Sequence, residues 1–156
     1  MPNNESVPAI KTSAEAALYE TALRLLTQRE HSRVELSQKL QQLGGNSSTI
    51  EKLLDELSAK NYLNDARFAE AYVRMRMQRG MGPLKIRHEL RLKGLDAALI
   101  STALQTVDWH ALLLELCLKK QTSGHSLHQK NREKQQRFWL QRGFQLDQIR
   151  DVLKTS

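Results

Sequence analysis

Leu84-Lys85-Ile86-Arg87-His88-Glu89-Leu90-Arg91-Leu92-Lys93-Gly94 is the stretch that decides the fold. Ile86 and Leu90 stand four apart, as on one face of a helix. Gly94 sits where a helix end commonly needs a left-handed residue. The same pattern is written twice more. Gly44, Gly94 and Gly143 recur at intervals of 50 and 49 residues. An apolar residue stands four positions before each (Leu40, Leu90, Trp139), Ile six positions after (Ile50, Ile100, Ile149) and Leu ten after (Leu54, Leu104, Leu153). A period near 50 means one helical module in three copies, and such chains are more often binding surfaces than cavities for chemistry.

Copies one and two align without a gap from Ala22 to Gly44 over Tyr72 to Gly94. Arg24 meets Arg74, Gln28 meets Gln78 and Arg29 meets Arg79, whereas Leu26 against Arg76 breaks the match. The third copy aligns from about Gln135, its first helix displaced by the polar stretch Gln121 to Ser126. The reading is all-α, with a disordered lead at 1–14 and three-helix modules at 15–62, 63–107 and 108–156. Each module is too small to bury much core alone, so neighbours must pack.

Local signals place the helices. The first module starts near Ala16, with Leu18, Ala22, Leu25 and Leu26 on one face. Ser32 with Glu35 reads as a capping box opening the second helix, and Ser48 with Glu51 as another opening the third. Asp65 can cap a helix from Ala66 to Arg79; Gly80-Met81-Gly82 breaks it, and Pro83 suits the first turn of the next. Asp96 caps the helix after Gly94.

Charge is uneven along this scaffold. The net charge is +7 and the pI about 9.8. From Tyr72 to Lys93, Arg74, Arg76, Arg79, Lys85, Arg87, Arg91 and Lys93 face only Glu89, a balance of +6. From Lys119 to Arg142, Lys119, Lys120, Lys130, Arg132, Lys134, Arg137 and Arg142 face only Glu133, again +6. Ser48 to Glu70 carries −2. Two such blocks exceed what solubility requires and point to a polyanion, usually nucleic acid. Lys85, His88 and Arg91 are spaced by three, as are Arg76 and Arg79, so on helices each set points one way while Leu84, Ile86 and Leu90 pack. The candidate anion contacts are Arg74, Arg76, Arg79, Lys85, Arg87, Arg91 and Lys93, then Lys130, Arg132, Lys134 and Arg137. Tyr62, Phe68, Tyr72, Trp139 and Phe144 lie on apolar phases and read as core, which leaves little for stacking bases.

The search for chemistry is negative. No phosphate-binding glycine loop and no dinucleotide fingerprint occurs. His125 and His128 are three apart without partner ligands, so no metal site is assigned, and neither a catalytic set nor a cofactor. Asp65, Glu70 and Glu89 are better explained by capping and pairing than as nuclease carboxylates. Cys117, the only cysteine, lies among leucines as a packed, inert thiol; one cysteine excludes an internal disulfide and fits a reducing cytoplasm. No run of about 18 apolar residues spans a membrane, and Met1 to Ser13 lacks the plan of a signal peptide.

The motifs resemble a known family. Tyr62-Leu63-Asn64-Asp65-Ala66-Arg67-Phe68-Ala69, Arg79-Gly80-Met81-Gly82-Pro83, Ile86-Arg87-His88-Glu89-Leu90 and Lys93-Gly94 look like the central signature of the bacterial RecX regulatory proteins. The flanks agree: His31-Ser32, Glu35-Leu36 and Lys39-Leu40 in the first module, Phe138-Trp139-Leu140 and Arg142-Gly143-Phe144 in the third. Gln135 departs, where an apolar residue is expected. The resemblance implies three tandem modules forming a curved, elongated body. It implies a regulator, not an enzyme, that binds filaments of the recombinase RecA on single-stranded DNA. Such a protein depresses ATP hydrolysis, strand exchange and co-protease action, and so modulates recombination, repair and the SOS response. The partners it implies are the RecA filament and DNA without strong sequence preference, met by a cytoplasmic monomer. The alternative is a helix-turn-helix regulator reading DNA directly.

Overall fold

The computed structural model describes residues 12–122 and 132–155. Among them are nine helices and no strand. The chain divides into two compact units, Met1–Asn64 and Asp65–Ser156.

The first unit holds α1 (Ser13–Gln28), α2 (Arg33–Gln42) and α3 (Ser47–Ala59). Thr12 opens α1 with a reciprocal capping box to Glu15, three residues earlier than the sequence suggested. Ser32 opens α2, its hydroxyl accepting from the Glu35 amide at 3.1 Å. The carboxylate of Glu35 pairs with Arg29 and Lys39. The start of α3 corrects the expected box at Ser48: Asn46 is the cap, its Oδ1 accepting from the Ser48 amide at 2.8 Å. Asn caps as well as Ser and stands nearer the glycine turn, so the helix gains its first turn from Asn46. Ala22, Leu36, Leu40, Ile50, Leu54 and Leu57 fill the core. Arg33 ties α2 to α3 through Glu51 at 2.9 Å and Asp55 at 2.7 Å.

The second unit holds α4 (Asp65–Gln78), α5 (Pro83–Leu92), α6 (Ala97–Gln105), α7 (Trp109–Thr122), α8 (Arg132–Gln141) and α9 (Leu146–Thr155). Pro83 is at the first turn of α5 and Asp96 caps α6, accepting from the Leu99 amide at 2.9 Å. One core runs through all six helices, from Phe68 and Val73 through Ile86, Leu90 and Ile100 to Leu113, Trp139, Phe144 and Ile149. Trp139 meets the edge of Phe144 with ring centroids 5.7 Å apart, a favoured aromatic geometry. Gln135 is buried where the repeat favours an apolar residue. Leu84, expected to pack, is 47% exposed. It is the second residue of α5, whose buried residues are Pro83, Ile86 and Leu90.

The α8–α9 turn is built onto the start of α5. The first amides of a helix have no partner within it. Here the Gly82 amide donates to the Arg142 carbonyl at 2.7 Å and the Leu84 amide to the Gly143 carbonyl at 2.9 Å. Gly143 has φ +95° and a Cβ there would stand 2.4 Å from the Lys85 Cβ, so both conformation and space require glycine. No single helix among the described residues is long and apolar enough to cross a membrane.

Candidate nucleic-acid interface

The sequence-selected cations do not share one fate. Lys130 lies outside the described residues, as do His125 and His128. Arg76 is engaged by an internal partner. Its Nε meets Glu89 Oε2 at 2.9 Å and its NH2 meets Oε1 at 2.6 Å, while the Tyr72 hydroxyl donates to Oε2 at 2.6 Å. This two-pronged pair clamps α4 to α5 and leaves little of Arg76 for a ligand. Burial drives the Glu89 carboxyl upward, but the Arg76 and Tyr72 hydrogen bonds outweigh it and hold the group below its ordinary range. The one acid of the central basic block is thus neutralised internally.

Lys85, Arg87 and Lys93 are half-buried. Arg87 donates to Ser101 Oγ at 3.3 Å. The Lys93 ammonium stands 5.6 Å from the centre of the Tyr72 ring. Arg74, Arg79, Arg91, Arg132, Lys134 and Arg137 are exposed, and none forms an ion pair with an acid among the described residues. These cations sit on α8, α5, α4 and the turn after α4, all in the second unit. Such side chains can reach phosphate without first breaking an ion pair to a described acid.

One grouping was missed. The turn after α4, the end of α7, and α8 with its following turn enclose a cleft of about 430 Å³. Arg79, Lys119, Lys120 and Arg142 line it beside Phe138 and Trp139, and no lining residue is acidic. The Lys120 ammonium lies 3.1 Å from the centre of the Phe138 ring. The Arg142 guanidinium is 4.8 Å from the same centre and donates to the Arg79 carbonyl at 2.9 Å. Burial lowers the Lys120 pKa, and the charge of Arg142 lowers it further. A signal for Arg142 existed: it precedes Gly143 as Lys93 precedes Gly94. No sequence signal brought Lys120 to Phe138, because the ring is supplied by a different helix.

The expected aromatic core holds for Phe68, Trp139 and Phe144. It fails for Tyr62, which is 50% exposed: it lies in the turn after α3, beyond the last core-facing helical position, and the adjacent Leu63 takes the buried place. Burial raises the Cys117 thiol to about 11, which keeps it protonated and inert. Among the described residues no three His, Cys, Asp or Glu gather to hold a metal.

Comparison with known proteins now bears on these features. Residues 19–57 match the family model described as RecX, first three-helix domain, and residues 64–104 that described as RecX, second three-helix domain. The chain is 41% identical over 138 residues to the regulatory protein RecX of Legionella pneumophila (strain Corby), covering 87% of this chain and 92% of that protein. It is 40% identical over 139 residues to the regulatory protein RecX of Pseudomonas entomophila (strain L48), covering 88% and 90%. The crystal structure of RecX from Lactobacillus salivarius superposes with a TM-score of 0.78 at 26% identity, over 91% of this chain and 96% of that one. A crystal structure of regulatory protein RecX superposes at 0.75 with 23% identity, over 90% and 72%, a likeness of fold.

Proposed function

The chain belongs to the RecX family of regulatory proteins, and from that footing we infer that it binds RecA filaments on single-stranded DNA and restrains them. ATP hydrolysis, strand exchange and co-protease action fall when it is bound, so that it tempers recombination, repair and the SOS response in the cytoplasm. It acts as a monomeric regulator and not as an enzyme.

The observation that carries this reading is the set of exposed cations without acidic partners among the described residues, Arg74, Arg79, Arg91, Arg132, Lys134 and Arg137, in a member of a regulatory family. Each phosphate they neutralise releases counterions, so affinity falls with salt and depends little on base sequence. Acidic surface on the recombinase would be met by the same side chains. A filament repeats its contacts, and a chain of three modules engages several at once; effective concentration then multiplies modest affinities.

The test is fluorescence anisotropy with labelled oligonucleotides of scrambled sequence, bare and coated with RecA in the presence of a non-hydrolysable nucleotide. This reading expects far tighter binding to the coated strands, with little change on scrambling. Tight binding to one bare duplex sequence would install the helix-turn-helix alternative instead.

A further inference from the structure

We propose that the cleft between α7, α8 and the turn after α4 is a seat for a backbone phosphate of single-stranded DNA, with Phe138 serving as the platform that holds Lys120 in place. The proposal rests on the reading that this protein meets single-stranded DNA, and it adds where the strand is gripped. Four cations, Arg79, Lys119, Lys120 and Arg142, converge on one cleft with no acid in its lining. Lys119 also pairs with Glu115 at 3.2 Å, on an exposed part of the helix. The two cations nearest the ring, Lys120 and Arg142, occupy its neighbourhood at 3.1 Å and 4.8 Å from its centre. A ring so occupied is not open to a stacking base. It instead helps to hold the Lys120 ammonium in place.

Arg142 is fixed as well. One of its nitrogens is held by the Arg79 carbonyl, and its backbone carbonyl receives the Gly82 amide. The fork and the ammonium are therefore presented by the fold before a ligand arrives, which lowers the ordering cost of binding. Two like charges crowded over an apolar floor repel one another, and an anion between them relieves that repulsion; burial and Arg142 lower the Lys120 pKa. A volume of about 430 Å³ admits a phosphate with part of its sugar. A phosphodiester strand is favoured over a carboxylate side chain because it carries a permanent charge at every nucleotide, so neighbouring phosphates can meet the remaining cations of the cleft.

The experiment uses the full chain and a labelled oligothymidine, without RecA, with anisotropy followed across a salt series. Lys120→Gln with Arg142→Gln should weaken binding roughly tenfold and flatten the slope of log affinity against log salt by about 1. Lys120→Arg with Arg142→Lys, which restores both charges, should recover the slope. Arg24→Gln with Lys52→Gln makes the same change of net charge on exposed positions of the first unit, and should leave the slope near that of the unaltered protein. Thermal melts confirm that each variant is folded; if the double glutamine variant is not, Lys119→Gln with Arg79→Gln reads the same cleft. Equal loss from the first-unit pair would overturn the proposal in favour of diffuse attraction. So would an unchanged slope in the cleft variants, and if these bound RecA-coated strands more weakly the cleft would be assigned to an acidic protein group. Because RecA is absent from the decisive measurement, its outcome is separate from that of filament inhibition.

Discussion

Gly82 and Gly143 lie backbone against backbone: a Cβ on Gly82 would stand 2.5 Å from the carbonyl carbon of Gly143. The contact lets the α8–α9 turn supply carbonyls to the start of α5, at 2.7 Å and 2.9 Å. Here the second and third repeats meet main chain to main chain, beside the side-chain core that they share.

Equivalent repeat glycines should therefore differ in their tolerance of alanine. Gly44 and Gly143 share a left-handed conformation, φ +86° and +95°, but a Cβ on Gly44 meets nothing within 4 Å. Gly44→Ala should cost about 1 kcal/mol, the strain of the conformation alone. Gly143→Ala adds the collision with Lys85 and should cost about 3 kcal/mol or more. Urea unfolding followed by helicity checks this; equal shifts in midpoint would mean the turn does not dock on α5.

The Arg76–Glu89 clamp should make stability depend on pH in a defined direction. The folded carboxyl is held below its ordinary value, 4.5. Its contribution is then complete above about 4.5 and is lost as the pH falls through the lower folded value. Glu89→Gln should cost roughly 1 to 3 kcal/mol at neutral pH. That gap should close in acid, because the unaltered protein loses the same interaction there. A gap that stayed constant down to pH 3 would remove the clamp from the account.

Cys117 should be nearly silent toward alkylation in the native protein. Its thiol is raised from 9.0 to about 11, and the side chain is buried. At pH 8 iodoacetamide labelling should be at least about a hundredfold slower than in urea, from the smaller thiolate fraction alone. Labelling at the denatured rate would show that α7 opens readily.

Much of the fold was legible because its punctuation is local. Gly44, Gly94 and Gly143 end helices, Ser32 and Asp96 begin them, and Pro83 opens another, each acting within a turn of chain. The start of α3 was misplaced because Asn46 and Ser48 are both competent caps, and only the folded turn chooses between them. Leu84 and Tyr62 misled for a related reason: helical periodicity holds inside an element but not at its edges. The docking of Gly82 on Gly143 was invisible, since each glycine already had a sufficient local reason. So was the cleft. Lys120 reaches Phe138 only once α7 and α8 are packed, and its cations were counted in the sequence without being seen to converge. The loss of Arg76 to Glu89 shows the converse: periodicity tells which way a cation points but not what stands opposite.

The central claim is that exposed arginines of the second unit let this protein restrain a RecA filament. The direct measurement is titration of the protein into RecA hydrolysing ATP on single-stranded DNA, beside the pair Arg74→Glu with Arg91→Glu. Both residues are exposed and neither forms an ion pair with a described acid, so the pair should fold normally. The account predicts that the unaltered protein lowers the hydrolysis rate in a dose-dependent, salt-weakened manner, and that charge reversal raises the concentration needed by about tenfold or more. Unaltered hydrolysis at saturating protein, or equal inhibition by the reversed pair at moderate salt, would contradict it.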